Sequence, residues 1–426
     1  MTTPAHPTPD LPWQASDGVR YGFMGLPLAF VALPLYVHLP NYYATQFGMS
    51  LALLGVLLLV ARVFDAVTDP LLGRLTDRGF GVSNARVRHM AAVAGVLLVL
   101  GMTGLWFPMV SSAYLPAWLL GGMLLTTAAY SQLQISHQSW AARLGGTEGW
   151  RTRIVAWREG YALVGVVLAS VLPSMVGWSG WLTVFVVAIV LGLYGWSRAL
   201  QPTRTTSTAS PASMLLPWKR PLFKKLMWVF VLSGLASAMP ATLVLFFIQD
   251  LLQARAWEPL FLSLYFVSAA VSMPMWVRAV RHVGLARAWL GGMLLAVVTF
   301  VWAGTLGAGD VVAYALICAL SGLALGADLS IPTALLAGII GQHNDQGHAE
   351  GAYFGWWNLA SKLNLALAAG VALPMLGFLG YSPGLSDPSG LQALTLAYAV
   401  LPCVLKLIAA AALYRFFIQT PPLQRT

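Results

Sequence analysis

The sequence predicts an all-α membrane protein of twelve transmembrane helices in two pseudo-symmetric six-helix halves. Three observations predict it. Only 9% of the 426 residues are charged against 58% apolar, and mean hydropathy is +0.74, whereas a soluble domain carries about 25% charged residues. Apolar runs of about 20 residues, the length that crosses a hydrocarbon core, recur along the whole chain. The basic residues gather in alternate loops, the pattern of a membrane protein with a fixed orientation. Together these exclude an ordinary soluble enzyme, a nucleic-acid binder and a disordered chain. The net charge of +10 therefore reads as topology and not as the sign of an acidic partner.

Residues 1–17 are polar and contain Pro; they lack the basic flank of a cleavable signal. The expected spans then follow as 18–46, 50–76, 87–108, 115–143, 152–176, 180–200, 222–252, 257–281, 287–307, 310–341, 350–379 and 389–418. They are expected to be helices because lipid offers the backbone no hydrogen-bond partner. With both termini cytoplasmic, 19 of the 24 basic residues fall in cytoplasmic segments or within the few span residues beside them, and Arg255 alone lies opposite. Arg62, Arg158, Lys362 and Lys406 lie deeper inside spans. One missed span would invert every later loop, so the asymmetry tests the count of twelve. The 342–349 loop is the expected cytoplasmic loop without Lys or Arg.

The longest connection, 201–221, is rich in Ser, Thr and Pro and ends in Trp218-Lys219-Arg220-Pro221. It separates residues 1–200 from 222–426, six spans on either side, the layout of a two-half transporter. The basic loops 74–88 and 278–287 each follow the second span of a half. Cys318 and Cys403 sit in apolar runs, which implies neither a disulfide framework nor a metal motif.

Charges inside the spans carry the functional signal, since each costs at least ~2.5–3.5 kcal/mol at the bilayer centre. Asp65 and Asp69 are spaced i, i+4 in Arg62-Val-Phe-Asp65-Ala-Val-Thr-Asp69-Pro70, which puts both carboxylates on one helix face. Two adjacent anions need a proton, a metal ion or a basic partner, and a hard cation such as sodium suits oxygen ligands. The plain alternative is structural pairing with Arg62 or another helix. Counted from the cytoplasmic ends, Asp65 lies roughly 16 Å deep and Lys362 roughly 18 Å; Asp69 and Arg158 both lie near 10 Å. Lys362 stands in Asn358-Leu-Ala-Ser-Lys362-Leu-Asn364 among polar neighbours. The fourth span carries Tyr130-Ser131-Gln132-Leu-Gln134-Ile-Ser136-His137-Gln138. There Gln134 and Gln138 share a face with His137 beside them, to line a cavity or to bond between helices. Asp328 is expected to touch a polar substrate or to pair with Lys362. Glu159 is expected to turn away from its neighbour Arg158, toward Arg153 or another helix, because consecutive helical residues point about 100° apart. Trp356 and Trp357 are expected to stack on a sugar ring, cover an acyl chain or anchor at the interface. Lys406 is expected to reach toward the cytoplasmic face.

The segment Ala61-Arg62-Val-Phe-Asp65-Ala-Val-Thr-Asp69-Pro70-Leu-Leu-Gly73-Arg-Leu-Thr-Asp77-Arg78 resembles the second-helix signature of the glycoside–pentoside–hexuronide cation symporters. These form the melibiose-permease-like branch of the major facilitator superfamily, which also includes sodium-dependent lysophospholipid symporters. Arg151-Thr152-Arg153 with Trp157-Arg158, Glu350-Gly351-Ala352-Tyr353-Phe354-Gly355 through Lys362, and Tyr21-Gly22-Phe23 resemble further segments of that family. The resemblance implies the major facilitator fold, a cation site at Asp65 and Asp69 (the metal site if the ion is sodium), and coupling through Lys362. It also implies a substrate-facing Arg158 and a cytoplasmic gating motif at Gly73, Asp77 and Arg78. Asp77 would then cap or pair with a neighbouring helix end; otherwise it is a solvated loop acid.

The chain departs from the sugar-binding members at two acids, where it has Ala29 and Gln134, and at the end of the tenth span, Ala337-Gly-Ile-Ile-Gly-Gln342. Cation coupling fits the comparison better than sugar recognition does. No Gly-x-Ser-x-Gly, His-Glu-x-x-His or phosphate loop appears, so no catalysis is expected. The expectation is a monomeric symporter in the cell membrane, the inner membrane if the cell is Gram-negative. It would couple sodium or a proton to a small polar solute, a glycoside being one case, without other cofactor or nucleic-acid partner. Substrate contacts are expected from Arg158, Gln134, Gln138, His137, Asp328, Trp356, Trp357 and Asn358. The competing expectations are transport of a lysophospholipid or other amphiphile, and a non-transporting receptor or assembly protein.

Overall fold

The computed structural model describes residues 14–202, 213–381 and 388–419. Among them run twelve helical segments. In chain order these are α1 (15–47), α2 (Leu51–Val82), α3 (Asn84–Trp106), α4 (Leu115–Arg143), α5 (Glu148–Pro173) and α6 (Met175–Ser197). They continue as α7 (Pro221–Leu251), α8 (Arg255–Val283), α9 (Leu285–Thr305), α10 (Val311–Gln342), α11 (Glu350–Phe378) and α12 (Pro388–Gln419). Eight of them are apolar and long enough to cross a membrane on length and composition alone. Helix α2 has the length too, but carries Arg62, Asp65 and Asp69 in its middle.

Local chemistry sets the ends. Ser50, Ser83 and Thr147 accept the backbone N–H groups of Leu53, Arg86 and Trp150 at the starts of α2, α3 and α5, the capping expected of short hydroxyl side chains. Near its start α6 kinks at Gly177, with φ 67° and ψ 179°, a region open essentially to glycine. Helix α1 is interrupted at residues 23 and 24 and widens into a π-turn over Pro34–His38.

The chain divides into two compact units, one of residues 1–219 and 337–359, the other of 220–336 and 360–426. In the first, α1 lies so close to α5 that a Cβ on Gly25 would stand 2.2 Å from the Arg158 carbonyl oxygen. Its core holds aromatic stacks: Trp106 stacks on Trp178 at 3.5 Å between ring centroids, and Trp181 stacks on Phe30 and Phe185. In the second, α7 packs on α12, and Phe247 stacks on Tyr398, whose hydroxyl lies 2.6 Å from that of Tyr314.

Outer faces are apolar. On α2, Val56, Val60, Val63, Val67 and Leu71 are each 45–64% exposed, while Asp65 and Asp69 are 3% and 0%. The helix is polar inward and greasy outward, the reverse of a soluble amphipathic helix.

Candidate functional site

The two carboxylates of α2 sit one turn apart on its buried face. Helix α4 supplies the facing wall: Ser131 Oγ donates to Asp65 Oδ1 at 3.0 Å. Two to three turns further toward the end of α2, Gln132 Nε2 donates to Thr76 Oγ1 and, within α4, to Ser136 Oγ, each at 2.8 Å. The polar run of the fourth span thus works partly as an interhelical seam. Pro70 has no N–H, so the Ala66 carbonyl, on the turn that joins the two aspartates, has no helical donor. Among the described residues no group of three or more His, Cys, Asp or Glu side chains gathers to hold a metal. An ion held by these two carboxylates would take its remaining oxygens from hydroxyls and backbone carbonyls, as a hard cation does.

His137 is fully buried. Its ring stacks on Tyr21 at 4.0 Å, its Nε2 lies 3.0 Å from the Tyr21 carbonyl oxygen, and the Tyr21 hydroxyl donates to the His137 carbonyl at 2.8 Å. The imidazole pins α1 to α4. Gln138 is buried and Gln134 half-buried. Arg158 is 8% exposed and pairs with its own neighbour Glu159, Nε to Oε1 at 3.0 Å. This corrects the expectation that Glu159 turns away: both side chains are long enough to fold back across the 100° between them. Trp356 donates its indole N–H to the Met214 carbonyl at 2.9 Å and meets Trp218 edge-on, so its polar edge is occupied by the end of the inter-half connection. Trp357 and Asn358 are buried at 3%. Lys362 is half-buried.

At the far end of α2 stands a second ionic cluster. Asp77 accepts the Gly351 and Ala352 amides at 2.7 and 2.8 Å, covering orphan donors at the start of α11. Arg143, from the end of α4, reaches Glu350 at 2.7 Å and Asp77 at 3.6 Å, and donates to the Gly347 carbonyl at 2.7 Å. The Gly347 N–H returns to Glu350 at 2.6 Å. Burial, and then the adjacent Glu350 carboxylate, push Asp77 up from its ordinary value near 3.8 to about 8, against the pull of Arg143 and the two amides. The cluster closes only because Gly73 and Gly351 let two backbones meet: a Cβ on Gly73 would lie 2.0 Å from the Gly351 carbonyl oxygen. Arg78 is exposed. Sequence reasoning named Asp77 but not Arg143 or Glu350 as its companions. The available signal was an acid at the first position of α11 and a basic residue closing α4.

In the second unit Asp328 pairs with Lys406. Asp328 also accepts from Trp289 Nε1 at 2.9 Å and Ser237 Oγ at 3.4 Å. Lys406 further donates to Ser233 Oγ at 2.9 Å and Ser237 Oγ at 3.0 Å. Lys406 therefore turns inward to a carboxylate, not toward the cytoplasmic face as its aliphatic stem suggested. Ser233 and Ser237, spaced i, i+4 in the apolar middle of α7, were the unread sign of a buried cation.

A family model described as MFS/sugar transport protein matches residues 15–420. Over 73 residues the chain is 41% identical to YagG of Escherichia coli (strain K12), a candidate glycoside/cation symporter, a match spanning 17% of this chain and 15% of that protein. A candidate sulfoquinovose importer of Salmonella typhimurium is 23% identical over 424 residues, covering 89% of this chain and 85% of that one. A bacterial homologue of the iron transporter ferroportin in its outward-facing state superposes with TM-score 0.71 at 15% identity, covering 95% of this chain and 99% of that one. The human organic anion transporter MFSD10 superposes at 0.65 and 17% identity, covering 94% and 100%. At those identities the structures speak for the fold alone, and that fold is the major facilitator fold read from the second-helix signature. With a family model matched over nearly its whole length and twelve helices to carry it, the chain belongs to the MFS/sugar transport protein family of multi-pass membrane transporters.

Proposed function

We propose that the chain is a symporter that couples sodium or a proton to uptake of a small polar solute of the glycoside class, with Asp65 and Asp69 as the cation site. One observation carries this reading. Two carboxylates one turn apart are kept out of contact with the outer apolar face of a membrane helix, and the Ser131 hydroxyl is turned onto one of them. Such burial of like charges favours whichever ligand neutralises them. The Ala66 carbonyl, deprived of its helical donor by Pro70, would add an oxygen to a sodium shell. The glycoside class rests on the names of the two curated relatives and on the polar groups of the buried helix faces, Arg158, Gln138 and Asn358.

In this reading the cation binds first, removes the repulsion between the aspartates and raises affinity for the solute. Lys362 couples the two events, and Gly73, Asp77 and Arg78 belong to the cytoplasmic gate. Both termini face the cytoplasm, on the side holding most of the basic residues. Alternating access then delivers both ligands to that side.

Proteoliposomes under an imposed sodium or proton gradient test it, with a panel of labelled glycosides as solutes. Gradient-driven uptake is expected in the native chain. Asp65→Asn and Asp69→Asn should each abolish the gradient response while exchange of pre-bound solute survives in at least one. Unaltered coupling in both variants would remove the site.

A further inference from the structure

The second unit holds a partly open cavity of about 200 Å³ among α7, α8, α9, α10 and α12. Its walls are aromatic and aliphatic, with Phe261, Phe300 and Tyr314 among them, and Asp328 and Lys406 supply the ionic pair that borders it. The three donors of the Lys406 ammonium are taken up by Asp328, Ser233 and Ser237. Asp328 is less committed. A carboxylate has about four lone-pair sites; Oδ2 serves Lys406 and Ser237, while Oδ1 serves Trp289. One acceptor site on Oδ1 remains, and the Asp328 side chain is 16% exposed against 5% for Lys406. The ionic side of the cavity thus invites a hydrogen-bond donor and holds no unspent cation for an anion. The pair is neutral as a whole, so a charged ligand would bring an uncompensated charge into an apolar chamber.

Size sets the rest. A dry apolar cavity of about 150 Å³ takes up benzene, so this one admits a single six-membered ring with a short substituent. We propose that this cavity is a ligand site for a neutral ring-bearing alcohol or phenol, the ring lying against Phe261, Phe300 and Tyr314 and the hydroxyl donating to Asp328. It uses neither Asp65 nor Asp69 and stands independently of the symport reading.

Isothermal titration calorimetry on the protein in nanodiscs, with empty nanodiscs as reference, tests it using benzyl alcohol, toluene and benzoate. Saturable binding of benzyl alcohol at one site per chain is expected. Toluene, lacking the donor to a charged acceptor, should bind about tenfold more weakly, and benzoate not measurably. Ala296→Leu fills the cavity without touching the ion pair and should abolish the signal; Ser321→Leu is a second filling variant if the first fails to fold. Heat that only tracks partitioning into the bilayer, equal affinity for all three compounds, or saturable binding undiminished in a folded filled variant would each overturn the proposal.

Discussion

The buried charges around Arg143 and around Lys406 each meet more than one partner, and that is what makes single substitutions there informative. Arg143 is 8% exposed and stands between two carboxylates that are themselves buried. Removing it leaves Asp77 and Glu350 facing each other without a cation, a loss of roughly 3–5 kcal/mol for breaking a buried pair. Arg143→Ala is expected to lower the melting temperature of the purified protein markedly. A pH effect follows with a definite sign. The Asp77 carboxyl binds its proton more tightly in the folded protein, at about 8 against 3.8. Its contribution to stability is therefore complete below about pH 4, falls as pH rises, and is gone above about 8. Melting temperature measured across that window should slope downward in the native chain and flatten in Asp77→Asn; identical slopes would refute the assignment. At this scale the sequence was legible where spacing fixes geometry, as for Asp65 and Asp69. It was illegible where pairing joins distant helices, as for Asp328 and Lys406. Depth brings such groups to a level, but only helix rotation and side-chain packing choose the partner.

Elements were legible to within a few residues because their length answers to the membrane. The expected fourth span, 115–143, coincides with α4, and the expected eleventh begins where α11 begins. Breaks inside elements were less legible. Pro70 sits within a continuous α2, whereas Pro34 opens a π-turn in α1; the same residue type bends or does not according to which neighbours re-satisfy the freed carbonyl. Crossings were legible only as glycines without assigned partners. Gly73 and Gly351 are such a pair, and their contact sets where the Asp77 carboxylate meets the first amides of α11. Gly73→Ala must push the start of α11 away, since the added carbon would stand 2.0 Å from a backbone oxygen that cannot rotate aside. We expect a loss of about 1–3 kcal/mol, the range for overpacking a tight contact. Because the same shift breaks the bonds to Asp77, Gly73→Ala combined with Asp77→Asn should cost less than the sum of the two. Strict additivity in denaturant or thermal unfolding would show that the glycine contact and the cap are unrelated.

For the whole molecule the governing quantity is which side of the membrane the basic residues occupy. A chain of twelve spans returns its C-terminus to the side of its N-terminus, and the placement of 19 basic residues against one predicts, by the positive-inside rule, that this side is the cytoplasm. The number twelve was readable because length and charge asymmetry check each other. The compact units were not, since residues 337–359 group with 1–219 through bonds, such as those from Asp77 to Gly351 and Ala352, that no local pattern announces. Sidedness is open to a direct test in cells. The two native cysteines are buried, so single cysteines introduced at Ser112 and at Asn344 report on their own loops. A membrane-impermeant maleimide should label S112C in intact cells and N344C only after permeabilisation. The loop that holds Asn344 lacks Lys and Arg entirely, so its side is fixed by the spans around it and not by its own charge. Labelling of N344C from outside would therefore mean that a span between α4 and α11 had been miscounted.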